Sequence, residues 1–247
     1  MKILGIDVGG SAIKGAPVET QTGRLLAERF RIETPRVVTP EKMARLAAEI
    51  AANFGWRGPI GIGLPCVIHG PRTMTSANLH KRFIGLDAHR LFSRATHCPV
   101  ALINDAAAAG LAEMKFGAGR GFLGKALMVT LGTGVGSALF HRGVVFPCEL
   151  GHLPFKGKDA EKHVAASVRK KKDLSWEEWG RRLNEYLQLL ERVLWPERII
   201  IGGGISARHE KFFRYLQLRA KVMPARLFNE AGIVGAALWA EQEKGTA

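Results

Sequence analysis

The sequence predicts an α/β fold, because short apolar runs of strand length alternate with amphipathic helical patterns. Five apolar runs are bounded by glycine or proline and read as buried strands: residues 3–8, 60–64, 100–103, 126–131 and 199–201. The chain has 247 residues, of which 47% are hydrophobic. A chain of this size and composition buries a large core without disulfide or metal support, so a predominantly disordered state is excluded.

Three segments between and after these runs predict helices. Thr39 and Pro40 provide a capping residue and a first-turn proline, and apolar residues follow at helical spacing as far as residue 54. A second amphipathic stripe covers residues 176–194, and the small and apolar residues 232–239 predict a tightly packed closing helix. The polar stretch 156–172 is expected at the surface, where a solvated helix face is the simplest interpretation.

Charge is the unusual feature of the composition. Lys and Arg number 36 against 22 Asp and Glu, which gives a net charge of +14. This excess favours a polyanionic partner, namely nucleic acid, an anionic membrane or a phosphate-rich substrate, although a merely basic surface remains the alternative. Cys66, Cys98 and Cys148 are widely spaced and match no metal motif, and we find neither a signal peptide nor a membrane-spanning apolar run. These features predict a cytoplasmic protein without membrane contact.

Three glycine-rich segments follow strand-like runs and predict phosphate-binding loops, because glycine lets backbone N–H groups converge on phosphate oxygens. None of them is a Walker A motif or a complete dinucleotide fingerprint. A hairpin turn explains any single loop equally well. The loops contain Asp7, Gly9, Gly10, Ser11 and Lys14, then Thr133, Gly134 and Gly136, then Gly202, Gly203 and Gly204. In this order they resemble the phosphate and adenosine motifs of the sugar kinase, actin and heat-shock chaperone superfamily, and the resemblance implies phosphoryl transfer with these residues as candidate donor ligands.

Two further polar motifs suit sugar chemistry. Asn104 and Asp105 end an apolar run before a helical pattern, where an aspartate can accept a hydroxyl proton or simply cap the helix. Glu149 and His152 flank Gly151, and a carboxylate and an imidazole at this spacing can both bond hydroxyl groups. Each motif alone also has a purely structural explanation.

Taken together, Asp-Val-Gly-Gly-Ser, Asn-Asp-Ala-x-Ala-Ala-Gly, Gly-Thr-Gly-x-Gly-Ser and Glu-x-Gly-His resemble the ROK group of sugar kinases. Within that group the sequence is most similar to the polyphosphate glucokinase branch, over nearly the whole chain. The resemblance implies the two-lobed, ribonuclease H-like fold of sugar kinases, actin and heat-shock chaperones. It implies a small lobe of residues 1–103 completed by a C-terminal helix at 231–247, and a large lobe of residues 104–230, with the active site between them.

The resemblance also implies residue roles. Asp105 corresponds to the catalytic base, and the loop residues above correspond to the phosphate and nucleotide loops, with Asp7 helping to hold a hydrated Mg²⁺. Glucose ligands are expected at Asn78, Asn104, Asp105, Glu149, His152 and Glu161. No zinc site is expected, because the cysteines that follow Glu-x-Gly-His in many relatives are absent here. Ala107 stands where the polyphosphate branch usually carries an aspartate, which puts metal handling and donor preference in question.

We therefore expect a glucokinase that transfers a phosphoryl group from inorganic polyphosphate to the 6-hydroxyl of glucose, with ATP left open as a second donor. Basic residues in 156–172 and 208–226 are expected to line the path of the polyphosphate chain. A homodimer without a specific nucleic-acid partner is the family expectation. The alternatives are an ATP-dependent or broad glucose/mannose kinase, or a non-catalytic sugar-binding scaffold. A DNA-binding repressor is disfavoured, because the first loop begins at Gly5.

Overall fold

The computed structural model describes residues 1–10, 12–34, 38–76 and 79–245. The strands, in chain order, are β1 Lys2–Val8, β2 Ala12–Glu19, β3 Arg24–Leu25, β4 Phe30–Glu33, β5 Ile60–Leu64, β6 Ile68–His69, β7 Arg72–Thr73, β8 Leu86–Asp87, β9 Val100–Asn104, β10 Ala126–Leu131, β11 Val135–His141, β12 Val144–Cys148, β13 Pro154–Phe155, β14 Lys158–Asp159, β15 Arg198–Gly202 and β16 Lys221–Pro224. The α-helices are α1 Pro40–Asn53, α2 Ala88–Thr96, α3 Asp105–Phe116, α4 Glu161–Val164, α5 Ala166–Lys171, α6 Trp176–Leu194 and α7 Ala231–Gly245.

The predicted strands and helices are all present. The five apolar runs form β1, β5, β9, β10 and β15, and the three helical patterns form α1, α6 and α7. The Thr39 side chain accepts a hydrogen bond from the backbone N–H of Lys42 at the start of α1. Helix α6 begins at a capping box in which Ser175 and Glu178 bond each other's backbone. No helix in the described part of the chain has the length and apolar character needed to span a bilayer.

The chain divides into two compact units. Unit 1 comprises Met1–Ala112 and Glu230–Ala247, and unit 2 comprises Glu113–Asn229. From the sequence, the boundary between the two parts is expected after residue 103. In the structure the division falls after Ala112, inside α3. The first turns of α3 belong to unit 1 because Ala106, Ala107 and Ala108 are buried there.

Unit 1 is built on a sheet of order β3-β2-β1-β5-β9, with β4 also pairing with β2. Strands β1 and β2 are antiparallel, whereas β1, β5 and β9 are parallel. Helix α7 packs so closely on this sheet that a Cβ at Gly5 or Gly61 would overlap the carbonyl groups of Ile233 and Ala236. The glycines in these strands are therefore required by helix packing rather than by a ligand.

Unit 2 repeats this plan with a sheet of order β12-β11-β10-β15-β16. The first three strands are antiparallel, and β10, β15 and β16 are parallel. The apolar face of α6, including Trp179, Leu183 and Leu187, is completely buried in the core of this unit. In each sheet the parallel strands end at one edge, where loops can present polar groups to a ligand.

Candidate active site

The first glycine-rich loop joins β1 to β2 in unit 1 and brings two charged residues together. Asp7 and Lys14 are register partners, and Lys14 Nζ lies 3.5 Å from Asp7 Oδ2. A Cβ at Gly232, in the first turn of α7, would lie 2.6 Å from Asp7 Cγ, so this glycine makes room for the carboxyl group. The pKa of Asp7 is raised from its usual value, because burial disfavours the charged form more than Lys14 favours it. The loop thus holds a carboxylate and an ammonium group at the end of β1.

Asn104 and Asp105 form the junction between β9 and α3 in unit 1. Asn104 Oδ1 accepts hydrogen bonds from the backbone N–H groups of Ala106 and Ala107, and Asn104 Nδ2 donates to the carbonyl oxygen of Cys66. Asn104 therefore caps the helix, as its simpler interpretation required. This cap fixes the backbone next to Asp105, whose half-buried side chain stands at the first helical position. The junction presents one carboxylate from a rigid turn.

The second and third loops lie side by side in unit 2. Strands β10 and β15 are parallel neighbours with Thr130 opposite Gly202, so the loops that follow them leave the same edge of the sheet. Gly203 has a φ of 80°, and a Cβ there would overlap the carbonyl oxygen of Leu131. The strands that carry the second and third loops are therefore in direct contact, with Thr130 between Gly136 and Gly202, and their role in binding phosphate stays a prediction.

A contact that the sequence did not reveal holds the second loop. Ser167, in α5, donates its backbone N–H to the carbonyl oxygen of Gly132 at 3.0 Å. Its hydroxyl donates to the carbonyl oxygen of Thr133 at 2.7 Å. These bonds attach α5 and its basic residues directly to the loop.

The predicted sugar-binding side chains of unit 2 also come together. His152 Nε2 lies 3.9 Å from Glu149 Oε2, and His152 Nδ1 lies 3.2 Å from Asp159 Oδ2. The pKa of Glu149 is raised from its usual value, mainly by burial and also by Glu161, while His152 opposes the shift. His152, Asp159 and Glu161 each bring a ligand atom within 4.8 Å of the others, a spacing that a divalent cation could also use. The absence of a zinc site therefore stays a prediction. Glu161 also forms an ion pair with Lys162, whose Nζ lies 2.8 Å from Glu161 Oε1.

Strand β11 holds the turn that carries Glu149 and His152, through hydrogen bonds of Ser137 and close packing of Val135. The buried Ser137 in β11 donates its hydroxyl to the carbonyl oxygen of Cys148 at 2.6 Å and accepts a bond from the N–H of Leu150 at 3.0 Å. A Cβ at Gly151 would overlap the carbonyl oxygen of Val135. Glu149 is therefore fixed from both sides, and the glycine in Glu-x-Gly-His is needed because β11 passes so close.

A buried carboxylate outside every motif stabilises unit 2. Glu113 is completely buried and accepts hydrogen bonds from the backbone N–H groups of Ala118, Arg226 and Leu227 at 2.7–2.8 Å. It ties the end of α3 to the segment after β16. Sequence reasoning gave Glu113 no role of its own, because two of its three partners, Arg226 and Leu227, lie more than a hundred residues away.

Some expectations fall outside these observations. Ser11 and Asn78 lie outside the described residues. Ala107 is buried, with an exposed fraction of 0%. The effect on metal handling and donor preference expected at this position stays a prediction.

The net charge is concentrated in unit 2. This unit carries 21 Lys and Arg against 11 Asp and Glu, a net charge of +10, whereas unit 1 carries 15 against 11, a net charge of +4. The two predicted basic stretches meet at one aromatic ring: Arg169 lies 3.9 Å and Lys211 lies 5.6 Å from the centre of Trp176. Lys170, Lys171 and Lys172 beside them are exposed, and none makes an ion pair with another described residue.

Glycine-rich loops after parallel strands and a carboxylate at the end of a third strand are the arrangement predicted for a sugar kinase, and comparison with known proteins supports this class. Residues 3–168 match the model of the ROK family. This match covers most of the chain, so the protein belongs to the ROK family.

Three individual proteins show what the chain is similar to. The chain is 43% identical over 237 residues to the polyphosphate glucokinase of Mycobacterium tuberculosis (strain CDC 1551 / Oshkosh), covering 95% of this chain and 89% of the relative. It is similar, at 42% identity and a TM-score of 0.94, to the inorganic polyphosphate/ATP-glucomannokinase of Arthrobacter sp. strain KM, over 98% of this chain and 99% of that one. A ROK family glucokinase from Streptomyces griseus in complex with glucose and AMPPNP matches at a TM-score of 0.84 and 21% identity, covering 98% and 100%.

The comparisons confirm the family and the fold class predicted from the sequence. The chain has the actin-like fold of ROK sugar kinases, and the two repeated α/β sheets described above are its structural basis.

Proposed function

We propose that this protein is a glucokinase that transfers a phosphoryl group from inorganic polyphosphate, and also from ATP, to the 6-hydroxyl of glucose. The observation that carries the proposal is Asp105, a half-buried carboxylate at the end of a parallel strand, fixed by the Asn104 cap. The whole-chain similarity to a polyphosphate glucokinase and to a polyphosphate/ATP-glucomannokinase supports both the acceptor and the donors.

The reaction needs one proton acceptor and one sugar-binding surface. Asp105 takes the proton from the 6-hydroxyl as that oxygen attacks the terminal phosphorus of the donor. The bond between that phosphorus and its bridging oxygen breaks, and the products are glucose 6-phosphate and a donor shortened by one phosphate. Asn104, Glu149, His152 and Glu161 bind the sugar hydroxyls and orient the attacking oxygen.

The three glycine-rich loops bind the donor. Gly9, Gly10 and Lys14 contribute from unit 1, and Thr133, Gly134, Gly136 and Gly202 to Gly204 contribute from unit 2. Asp7 fits a Mg²⁺ ion bound through water, because its carboxylate provides the oxygen ligands that Mg²⁺ prefers and lies near the end of β1, where the first glycine-rich loop begins. The ion would offset the negative charge of the donor phosphates. Lys14 orients the Asp7 carboxylate through their contact at 3.5 Å.

The basic surface of unit 2 supports polyphosphate as the donor. A long polyphosphate chain would extend beyond the loops that bind its terminal phosphates. Helix α5 lies next to the second loop, because Ser167 bonds the carbonyl oxygens of that loop. We propose that Lys170, Lys171 and Lys172 bind phosphates beyond the reacting one. Because each contact releases counterions, affinity for the chain should fall steeply with salt.

The same site could serve a related activity, an ATP-dependent or broad glucose/mannose kinase, and the printed name of the Arthrobacter relative favours that second candidate. A homodimer and a cytoplasmic location are proposed on the family resemblance. None of the three cysteines forms a disulfide in the structure, in accord with a reducing compartment. The two-lobed division is proposed on the same resemblance.

The first experiment measures glucose 6-phosphate formation with Mg²⁺, comparing long-chain polyphosphate with ATP at equal phosphoryl concentration. The triple variant Lys170→Ala, Lys171→Ala, Lys172→Ala should raise the KM for polyphosphate at least about tenfold and reduce its salt dependence, with little change for ATP. The matched control removes three exposed cations of unit 1: Lys42→Ala, Arg45→Ala and Arg90→Ala.

The outcomes separate the parts of the proposal. Polyphosphate turnover no more sensitive to salt than ATP turnover would exclude the basic surface as the donor path. Activity with ATP alone would leave a kinase with a different donor. Absence of activity with either donor would favour the non-catalytic scaffold.

A further inference from the structure

Asp159, to which no motif assigns a role, contacts the imidazole ring of His152, a residue predicted to bind glucose. Its Oδ2 lies 3.2 Å from His152 Nδ1, within hydrogen-bond distance. The other ring nitrogen, Nε2, lies 3.9 Å from Glu149 Oε2, which is too far for a direct hydrogen bond. One side of the imidazole is therefore occupied by the protein, and the other side faces a second acceptor without bonding it.

The backbone fixes both partners of this bond. Asp159 lies in β14, where it pairs with Pro154 of β13, and the N–H of Ala160 donates to the carbonyl oxygen of Leu153 at 2.9 Å. His152 ends a 3₁₀ turn in which its N–H donates to the carbonyl oxygen of Glu149 at 3.1 Å. A short hairpin thus brings the carboxylate back against the ring only seven residues after the histidine.

The chemistry of the contact selects one form of the neutral ring. An ionised carboxylate only accepts hydrogen bonds, so Nδ1 must carry the proton and Nε2 must present a lone pair. In the opposite tautomer Nε2–H would point to Glu149 and compete for its oxygen. With the ring fixed, Nε2 and Glu149 Oε2 are two acceptors that suit two neighbouring hydroxyl groups of a sugar, each donating one bond.

We propose that Asp159 is a positioning residue for sugar recognition, which holds His152 in the orientation and tautomer that accept a hydrogen bond from a glucose hydroxyl. The proposal rests on the proposed function, since it takes His152 as a ligand of glucose. Asp159 acts through His152 and does not itself contact the reacting atoms, so its loss affects glucose binding more than turnover.

A double-mutant cycle tests this coupling. With saturating donor, Asp159→Ala should raise the KM for glucose about tenfold and leave kcat within about twofold, as expected for one hydrogen bond to a charged group. In a His152→Ala background, Asp159→Ala should cause no further change. Asp159→Asn should give an intermediate KM, because its amide oxygen can still accept from Nδ1. The control Glu210→Ala removes an exposed acid of unit 2 and should leave the KM unchanged.

Three results would overturn the proposal: an unchanged KM in Asp159→Ala, a fall in kcat without a change in KM, or equal effects of Asp159→Ala with and without His152. If Asp159→Ala does not fold, the same cycle with Asp159→Asn decides the question by the same criteria. A wild-type protein that phosphorylates no glucose would overturn the proposed function itself. Calorimetric glucose binding to the same variants, measured without donor, would then still decide whether Asp159 acts through His152.

Discussion

The hairpins β1–β2 and β10–β11 form similar glycine-rich turns, but their polar support comes from different distances along the chain. In β1–β2, Asp7 and Lys14 are register partners seven residues apart, and they contact each other. In β10–β11 the loop is held instead by Ser167, which lies 34 residues beyond Thr133. The charged pair of the first loop is thus local, although the hydroxyl of Thr34, 25 residues beyond Gly9, also donates to the carbonyl oxygen of Gly9 at 2.8 Å. In the second loop the side-chain bond comes from 34 residues away.

The side chains proposed to bind glucose are also supported differently in the two units. Asn104 caps its own helix by accepting bonds from the N–H groups of Ala106 and Ala107, and its amide donates to the carbonyl oxygen of Cys66. Glu149 stands in a turn that is held by hydrogen bonds to Ser137 of β11 and by the close approach of Gly151 to the same strand. We therefore expect changes around Asp105 to act on the chemical step, and changes around Glu149 to act on binding and stability.

The largest effect is expected for Asp105→Asn in unit 1. The amide cannot accept the proton of the attacking hydroxyl, so kcat should fall about 10³-fold. Glucose binding, measured by calorimetry, should stay near that of the wild type, because the amide still forms hydrogen bonds. Turnover close to that of the wild type would exclude Asp105 as the base.

A smaller effect, of a different kind, is expected for Gly151→Ala in unit 2. The added methyl group would overlap the carbonyl oxygen of Val135, so the turn must move at a cost of about 2 kcal/mol in the free energy of unfolding. The KM for glucose should rise with it, while kcat changes less. Gly245→Ala, which has open space around it, is the control in urea unfolding. Unchanged stability and KM in Gly151→Ala would show that β11 does not restrict the turn.

The smallest effect is the pH dependence of stability that Glu149 introduces. Because its pKa is raised in the folded protein, the fold favours the protonated carboxyl. That stabilisation is complete below the ordinary value of 4.5 and is lost as pH rises through the higher folded value. The Glu149→Gln variant has no carboxyl group to ionise. The free energy of unfolding of the variant minus that of the wild type should therefore increase between about pH 4 and pH 7, by less than about 1 kcal/mol. Urea unfolding of both proteins at both pH values measures this difference, and a difference that does not change with pH would contradict the raised pKa of Glu149.

Local patterns predicted the strands and the main helices well, because hydrophobic periodicity, caps and glycine-rich turns act within a few residues. They could not reveal Glu113, whose carboxylate bonds the N–H groups of Arg226 and Leu227. Nor could they decide that Ala107 is buried. The domain boundary also depended on packing, since only contacts show to which unit each turn of α3 belongs.

The sequence by itself determined the alternation of strands and helices, the order of the three loops and the excess of positive charge, since all of these follow from local composition. It also carried the motifs that identify the ROK family. Only the tertiary structure decided which groups meet: Gly203 against Leu131, Ser167 on the second loop, Ser137 beneath Glu149, and Asp159 on His152. These contacts join residues on different elements, and their distances depend on how the sheet and helices pack rather than on spacing along the chain.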